Sequence, residues 1–590
     1  KLASIKRSVR ERREMEGLLV FLQAHGLPAS LAVRLFKTYG VRALAQVREN
    51  PYLLARQVSG IGFIKADQLA LKLGLGQDSL QRTTAGLLHP LIVVAEEGHV
   101  FLPYKELVSA TARLLDLDQT LIRARAAEML TAGELVMEDL NEDLDRFQTD
   151  QKAIFLPELH RAEKRVAQGV RDILATANLL PRTRTQKIVS QVQERMRPTL
   201  TPAQGRAILA SVTNKLTIIT GGPGTGKTTL TRAIVQVFQA LNLSFSLAAP
   251  TGRAAKRLSE ATGHPASTIH RLLEYAPASG FQRHAGRRLT SQALVVDEAS
   301  MIDIRLMAQL IQALNRDALL ILVGDVDQLP AVGPGLVLGD LIESGRVAVV
   351  KLDEVFRQAA ASRIVSNAHL VRRGQRPDLS QADDFYFIQQ EAPQKAADLI
   401  VELVTERIPR RFGLDPKRDI QVLAPMRRGS CGVESLNQDL QAALNPSGQG
   451  VAGDRFRLGD KVIQVRNNYE KRVFNGDLGF IDQKGAAGGL TVDFAGELKL
   501  YESHEMGELA LAYCLSVHKA QGSEYQAVVL PLLTEHRIML RRNLVYTALT
   551  RARRLIVLVG GRWILNQAVG DTRGGERRTL LARRLAEGWG

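Results

Sequence analysis

Gly221, Gly226, Lys227 and Thr228 fill the fixed places of a G-x-x-x-x-G-K-[ST] loop, read in full as Gly221-Gly222-Pro223-Gly224-Thr225-Gly226-Lys227-Thr228-Thr229. A chain that wraps a polyphosphate needs glycines, because its N–H groups must point inward from backbone conformations closed to residues with a Cβ. A helix starting near Lys227 adds the positive end of its dipole. Lys227 would reach the β- and γ-phosphates and the Thr228 hydroxyl would ligate Mg²⁺. Asp297 and Glu298 follow the apolar run Ala293 to Val296, where unpaired charges are costly. Asp297 suits a Mg²⁺ shell, and Glu298 suits a group that orients or deprotonates an attacking water. Gln328 follows the apolar run Leu319 to Val323 and is placed to sense a γ-phosphate.

These residues need strands that end where the chemistry is. Leu216 to Ile219 precedes the glycine loop, and Phe245 to Ala249, Ala293 to Val296, Leu319 to Val323 and Val347 to Leu352 alternate with helical segments. That alternation predicts a parallel α/β sheet, whose sites lie at the carboxyl ends of its strands. A second series, Ile420 to Leu423, Leu511 to Val517, Ala527 to Leu530 and Leu555 to Val559, predicts a second such lobe and a cleft between the two. Residues 451–500 have a different texture, with Asn-Gly and Gly-Gly turns between short strands, as in a small antiparallel barrel.

Among 590 residues, 78 basic against 61 acidic side chains leave a net charge of +17, which points to a polyanionic partner. No apolar run approaches the ~20 residues of a spanning helix, so a membrane partner is not expected. Two cysteines, Cys431 and Cys514, build neither a disulfide framework nor a cysteine zinc site and suit a reducing cytoplasm. The chain is expected to be soluble and unexported, and its first residue, Lys1, leads us to expect an upstream segment that is missing.

The front of the chain reads as mainly helical. Gly26-Leu27-Pro28 opens one apolar-periodic helix, and Ser59-Gly60-Ile61-Gly62 sits between two more, so that residues 1–80 resemble a tandem helix-hairpin-helix module. Such a hairpin binds a DNA backbone through its glycine turn, or packs only on its own protein; the turn alone leaves both open. Residues 81–198 read as winged-helix-like units followed by a basic connector, Arg182 to Pro198.

The glycine loop, Asp297-Glu298-Ala299-Ser300 and Gly324-Asp325-Val326-Asp327-Gln328 together resemble the superfamily 1 helicases. Ala249-Pro250-Thr251-Gly252-Arg253-Ala254-Ala255 and Ser267-Thr268-Ile269-His270-Arg271 resemble their RecD-like branch. The resemblance implies two RecA-like motor lobes, at 199–360 and 361–560, with a Src-homology-like barrel inserted in the second and a basic C-terminal tail at 561–590. It implies an ATP- and Mg²⁺-dependent motor that moves 5′→3′ on single-stranded DNA and unwinds duplex at junctions, as a monomer with no obligatory protein partner. It makes Pro250, Thr251, Arg253, His270, His518 and Lys519 DNA contacts, although a lone histidine such as His270 is as often structural. Gln204 would read the adenine edge or is a surface glutamine. Arg357, in Val355-Phe356-Arg357-Gln358, would contact the γ-phosphate and Arg551 would be the arginine finger, while Arg553 and Arg554 fit a basic helix face. Residues 275–289 would form a duplex-splitting pin or a solvated insertion. An ATP-controlled clamp and an RNA-directed motor are the rival functions.

Overall fold

The computed structural model describes the chain except residues 1, 28–29, 58–61, 141–150, 179, 198, 278, 355–360, 452–454, 486–487 and 588–590. It divides into two units, Lys1–Arg161 and Ala162–Gly590.

The first unit is helical, as its periodic apolar residues require. Helices Leu2–Ala24, Ser30–Tyr39, Ala43–Glu49, Leu53–Gln57 and Phe63–Lys72 are followed by Leu80–Glu96, Tyr104–Leu115 and Gln119–Thr131. The last three accompany an antiparallel sheet of β1 (Phe101–Pro103), β2 (Val136–Asp139) and β3 (Lys152–Phe155), ordered β1-β3-β2. Buried Arg82 ties the two groups of helices together. Its guanidinium pairs with Asp67 at 2.9 Å and donates to the carbonyls of Gln77 and Leu115 at 2.7 and 3.0 Å. Gly62 caps the helix Phe63–Lys72, but the hairpin turn through Ser59, Gly60 and Ile61 lies outside the described residues.

The second unit holds two parallel sheets. The first contains β4 (Leu216–Gly221), β5 (Phe245–Ala249), β6 (Ala266–Thr268), β9 (Ala293–Val296), β10 (Leu319–Gly324) and β11 (Ala348–Leu352), ordered β11-β4-β10-β9-β5-β6. β4, β9 and β10 are buried along their whole length, which explains their unbroken apolar runs. Between β6 and β9 stands a short hairpin, β7 (Tyr275–Ala276) with β8 (Gly280–Phe281). The second sheet contains β12 (Phe385–Gln389), β13 (Ile420–Ala424), β21 (Cys514–Ser516), β22 (Tyr525–Leu532) and β23 (Ala552–Gly560), ordered β12-β23-β22-β13-β21. Inserted within it are the ribbon β14 (Gly450–Val451) with β15 (Phe456–Arg457) and a five-stranded antiparallel sheet. The latter is made of β16 (Lys461–Gln464), β17 (Leu478–Lys484), β18 (Leu490–Phe494), β19 (Glu497–Tyr501) and β20 (Leu509–Leu511).

The structure departs from the sequence reading in four places. The basic connector is helical, Arg182–Arg195, as its helix-compatible sequence allows, but it is more than a connector, because Val189 and Val192, with Met196 just beyond, enter the core of the first sheet. Three apolar residues on one face suffice to dock an otherwise polar helix. The single strand expected over Leu511 to Val517 serves two sheets, since Leu511 pairs with Val462 of the insertion whereas Cys514 pairs with Val422. Edge strands β6 and β12 lie outside the expected series: β6 (Ala266–Thr268) carries too few apolar residues to announce itself, whereas β12 (Phe385–Gln389) is rich in aromatic residues and is not among the expected strands. The C-terminal segment is not a free basic tail, because Leu581 and Leu585 are fully buried and the helix Leu581–Glu587 packs on the first-sheet helix Val337–Glu343.

Candidate nucleotide cleft

The glycine loop leaves β4 at the carboxyl edge of the first sheet and enters the helix Lys227–Ala240. Gly224 and Gly226 adopt φ of 73° and 75°, in the left-handed region that a Cβ disfavours. A Cβ on Gly221 would stand 2.8 Å from both Leu352 Cβ and Thr225 Oγ1, so the loop can pass there only as glycine. Pro223 and Thr229 are partly exposed, and Thr228 is exposed at the start of the helix. Lys227 Nζ donates to the carbonyls of Gly221 and Gly222, folded over the cradle that its own loop encloses.

Gln204 is fully buried. Thr201 N donates to its Oε1 at 3.0 Å, and its Nε2 donates to the carbonyl of Thr225 at 3.0 Å. The amide therefore closes a capping box and braces the glycine loop.

Asp297 and Glu298 end β9. Glu298 has φ of 52°, a strained left-handed conformation for a residue with a long side chain, held by its N–H donating to Asp297 Oδ1 at 2.9 Å. Burial first and the charge of Glu298 second push the Asp297 carboxyl up to about 6, against the Glu298 N–H and the cations Lys227 and Arg257. Across β10, the nearly fully buried Asp325 accepts from Gln328 Nε2 at 3.1 Å and from the Tyr546 hydroxyl at 2.7 Å.

Tyr546 belongs to the second lobe, and so does Arg551, which is 3% exposed. Arg551 donates to Gln328 Oε1 at 3.2 Å, to the carbonyls of Ser523 and Thr547 at 3.0 and 3.2 Å, and to Thr550 Oγ1 at 3.1 Å. Sensor and expected finger thus touch across the two sheets. Beside them, Leu329 N donates to Thr547 Oγ1 at 2.8 Å and Gln521 Nε2 donates to the carbonyl of Leu329 at 2.7 Å. A Cβ on Gly222 would meet Tyr546 Oη at 3.1 Å and His369 Cε1 at 3.3 Å, so the loop itself faces the second lobe. Arg372 of that lobe pairs with Asp327 at 3.1 Å and Asp353 at 3.2 Å. Arg357 lies outside the described residues.

The donor set fits a nucleotide with a hard cation. Thr228 offers a hydroxyl and Asp297 a carboxylate, the oxygen ligands that Mg²⁺ prefers. Among the described residues no cluster of three or more His, Cys, Asp or Glu side chains could hold a metal unaided, so phosphate oxygens and water would complete the shell.

Residues 199–392 match the AAA domain family, and residues 11–101 match the HHH domain of the ATP-dependent RecD2 DNA helicase. Residues 436–494 match the SH3 domain of the ATP-dependent RecD-like DNA helicase, and 511–559 the UvrD-like helicase C-terminal domain. The ATP-dependent RecD2 DNA helicase of Deinococcus radiodurans is 36% identical over 570 residues, covering 96% of this chain and 77% of that protein. This chain belongs to the RecD2 family of helicases. The RecBCD enzyme subunit RecD of Mycolicibacterium smegmatis is 30% identical over 424 residues, 65% of this chain and 74% of that one. A solved chain of Pif1 helicase from Bacteroides, in complex with ADP-AlF3 and ssDNA, aligns at 17% identity with a TM-score of 0.38, covering 63% of this chain and 91% of its own.

The residues expected to touch DNA in this RecD2-family chain take several different roles. Pro250 is partly exposed at the end of β5. Thr251 caps the helix Gly252–Thr262, its hydroxyl accepting from Ala254 N at 3.3 Å. Arg253 donates to Ser523 Oγ at 2.8 Å and to the Tyr525 hydroxyl at 3.1 Å, and lies over the Tyr525 ring, so it joins the two lobes. His270 packs edge-on to Tyr275 and against Phe281, with centroids 5.7 and 5.5 Å apart, and burial lowers its pKa. Lys519 is exposed. The His518 pKa is lowered by burial first, then by the cations Arg577 and Arg541.

The expected pin is shorter than residues 275–289. Beyond β8, Arg283 and Arg287 pair with Glu274 at 2.7 and 3.0 Å, and Leu289 N donates to the carbonyl of Ala313 at 2.7 Å, folding this stretch back onto the lobe. Arg553 lies on β23, not on a helix, and pairs with Glu524 at 2.7 Å. Sequence reasoning missed Tyr546, His369 and Arg372. Tyr546 stands only five residues before Arg551 and could have been found from that spacing, whereas nothing in the sequence marks the other two.

Among the described residues no helix is long and apolar enough to cross a membrane.

Proposed function

We propose that this chain, an ATP-dependent DNA helicase, moves 5′→3′ along single-stranded DNA and opens duplex at single-strand/double-strand junctions by closing and reopening its two sheets around ATP. The observation that carries the reading is the 3.2 Å bond from Arg551 to Gln328, which joins the far lobe to the sensor beside the glycine loop. Lys227 and the loop amides would bind the phosphates, while Glu298 would take a proton from the attacking water. Gln328 would report the γ-phosphate to Arg551, which would neutralise charge developing on it. Arg357 would act with it. Thr228 and Asp297 would hold Mg²⁺, which supplies charge neutralisation at the phosphate oxygens. Opening duplex opposes about 1.4 kcal/mol per base-pair step on average, so strand separation requires a repeated cycle. His518, Lys519, Pro250 and Thr251 would line the strand's path, and a monomer without an obligatory partner is the working unit. The higher identity and wider coverage of the RecD2 relative over the RecBCD subunit support that last point.

The test is unwinding of 5′-tailed and 3′-tailed DNA and RNA duplexes by the wild type and Lys227→Ala. We expect opening of the 5′-tailed DNA alone, abolished in the variant. Unwinding that survives Lys227→Ala would refute the motor, and ATP-dependent binding without strand separation would make the protein a clamp.

A further inference from the structure

The C-terminal segment crosses from the second lobe to the first, and its two ends are held differently. At its start, Arg542 of the second lobe donates from its backbone N to the carbonyl of Asp571 at 3.0 Å and from Nε to that of Val569 at 2.8 Å. At its end, Arg584 Nε donates to Glu163 Oε2 and Leu580 N to Glu163 Oε1, both at 2.9 Å. Glu163 is fully buried on the helix Pro157–Ala175, whose Gly169 lies against Ile311 of the first lobe.

Between these anchors Arg577 points into the protein. Its guanidinium donates to the carbonyls of Ala331, Gly333 and Gly335 at 2.6, 2.8 and 2.8 Å. These belong to one loop, which begins three residues after Gln328. The loop's other side rests on the segment that follows Glu298. Ile304 N donates to the carbonyl of Pro334 at 2.9 Å, and a Cβ on Gly333 would fall 2.0 Å from Asp303 Oδ2. Asp303 in turn caps the next helix through Leu306 N at 2.7 Å. The loop is therefore held between the base-bearing segment and a cation on the crossing strap. The same cation acts on His518 at the expected DNA path. A planar fork can serve several carbonyls in a fixed arrangement, which a lysine ammonium cannot reproduce.

We propose that Arg577 is a positioning residue that couples DNA binding to ATP turnover by passing the relative motion of the lobes to loop 331–335, which follows Gln328. The proposal rests on the helicase reading above. Because the strap is anchored on both lobes, their closure must either carry the loop with Arg577 or break its three bonds; either way the loop registers closure.

The full chain is assayed as wild type, Arg577→Ala, Arg577→Lys and Arg573→Ala, the last an exposed strap arginine paired with neighbouring Asp571. Thermal melting, ATP hydrolysis without DNA and hydrolysis with saturating single-stranded DNA are compared. Arg577→Ala is expected to cut DNA-stimulated kcat about tenfold while leaving basal hydrolysis and the KM for ATP within about twofold. Arg577→Lys should fall between it and the wild type, and Arg573→Ala should match the wild type. Parallel loss of basal and stimulated rates would make Arg577 a plain structural brace, and unchanged stimulation would overturn the proposal outright. If Arg577→Ala does not fold, the lysine variant carries the same test. A wild type lacking DNA stimulation would instead refute the helicase reading.

Discussion

The two parallel sheets of the second unit are built by the same physics but do different work. The first ends its strands in the glycine loop, in the strained Glu298 beside Asp297, and in Asp325 and Gln328. Its neighbour ends β21 in His518 and Lys519, and sends Tyr546 and Arg551 across to the first from the helix between β22 and β23 and the turn after it. One sheet thus holds the groups proposed to bind the phosphates and activate the water, and the other supplies Arg551, proposed to neutralise the charge that develops when the cleft closes. Sheet architecture alone does not assign these roles; the side chains at the strand ends do.

The sharpest way to break this contrast is Arg551→Ala. If the second sheet contributes transition-state charge, hydrolysis should slow ~10³-fold or more while nucleotide binding barely changes. Equal losses in a binding titration and a turnover assay would reduce Arg551 to a structural cross-link. Next, Glu298→Gln should keep ATP binding and lower turnover by ~10²–10⁴. Near-normal hydrolysis would remove the base from the first sheet.

The smallest effect is expected where the strap meets the first lobe. Burial raises the Asp340 carboxyl to about 7, opposed by the Thr579 hydroxyl 2.9 Å away. A carboxyl whose folded pKa exceeds its unfolded value of about 3.9 favours folding when protonated, so this contribution is present at low pH and is lost as pH rises through about 7. Asp340→Asn should flatten the fall in melting temperature between about pH 4 and 7 and leave hydrolysis unchanged. A parallel fall in hydrolysis would tie the strap's anchor to the chemistry itself.

Much of the cleft was legible because its chemistry depends on contiguous residues. The glycine loop and the Asp297-Glu298 pair each occupy one strand end, where an apolar run announces a buried strand and the next residues must be the site. Gln204 shows the limit of that logic. Its place upstream of the loop was readable, but its use as a brace depends on Thr201 and Thr225 both reaching one amide. Arg253 was legible, by resemblance, only as an expected DNA contact; its bonds to Ser523 and Tyr525 of the other lobe depend on residues some 270 positions away meeting it in the fold.

The sequence by itself determined the nucleotide loop, the carboxylates and the two alternating α/β series, because each follows from local spacing and from the hydrophobic burial of short runs. Tertiary structure alone decided which cations face which partners. Arg577 and Arg573 are alike as residue types, yet one serves the carbonyls of a loop more than two hundred residues earlier in the chain and the other pairs with its neighbour Asp571. A guanidinium's role is set by what surrounds it, and contacts at that sequence separation arise only when the chain has packed.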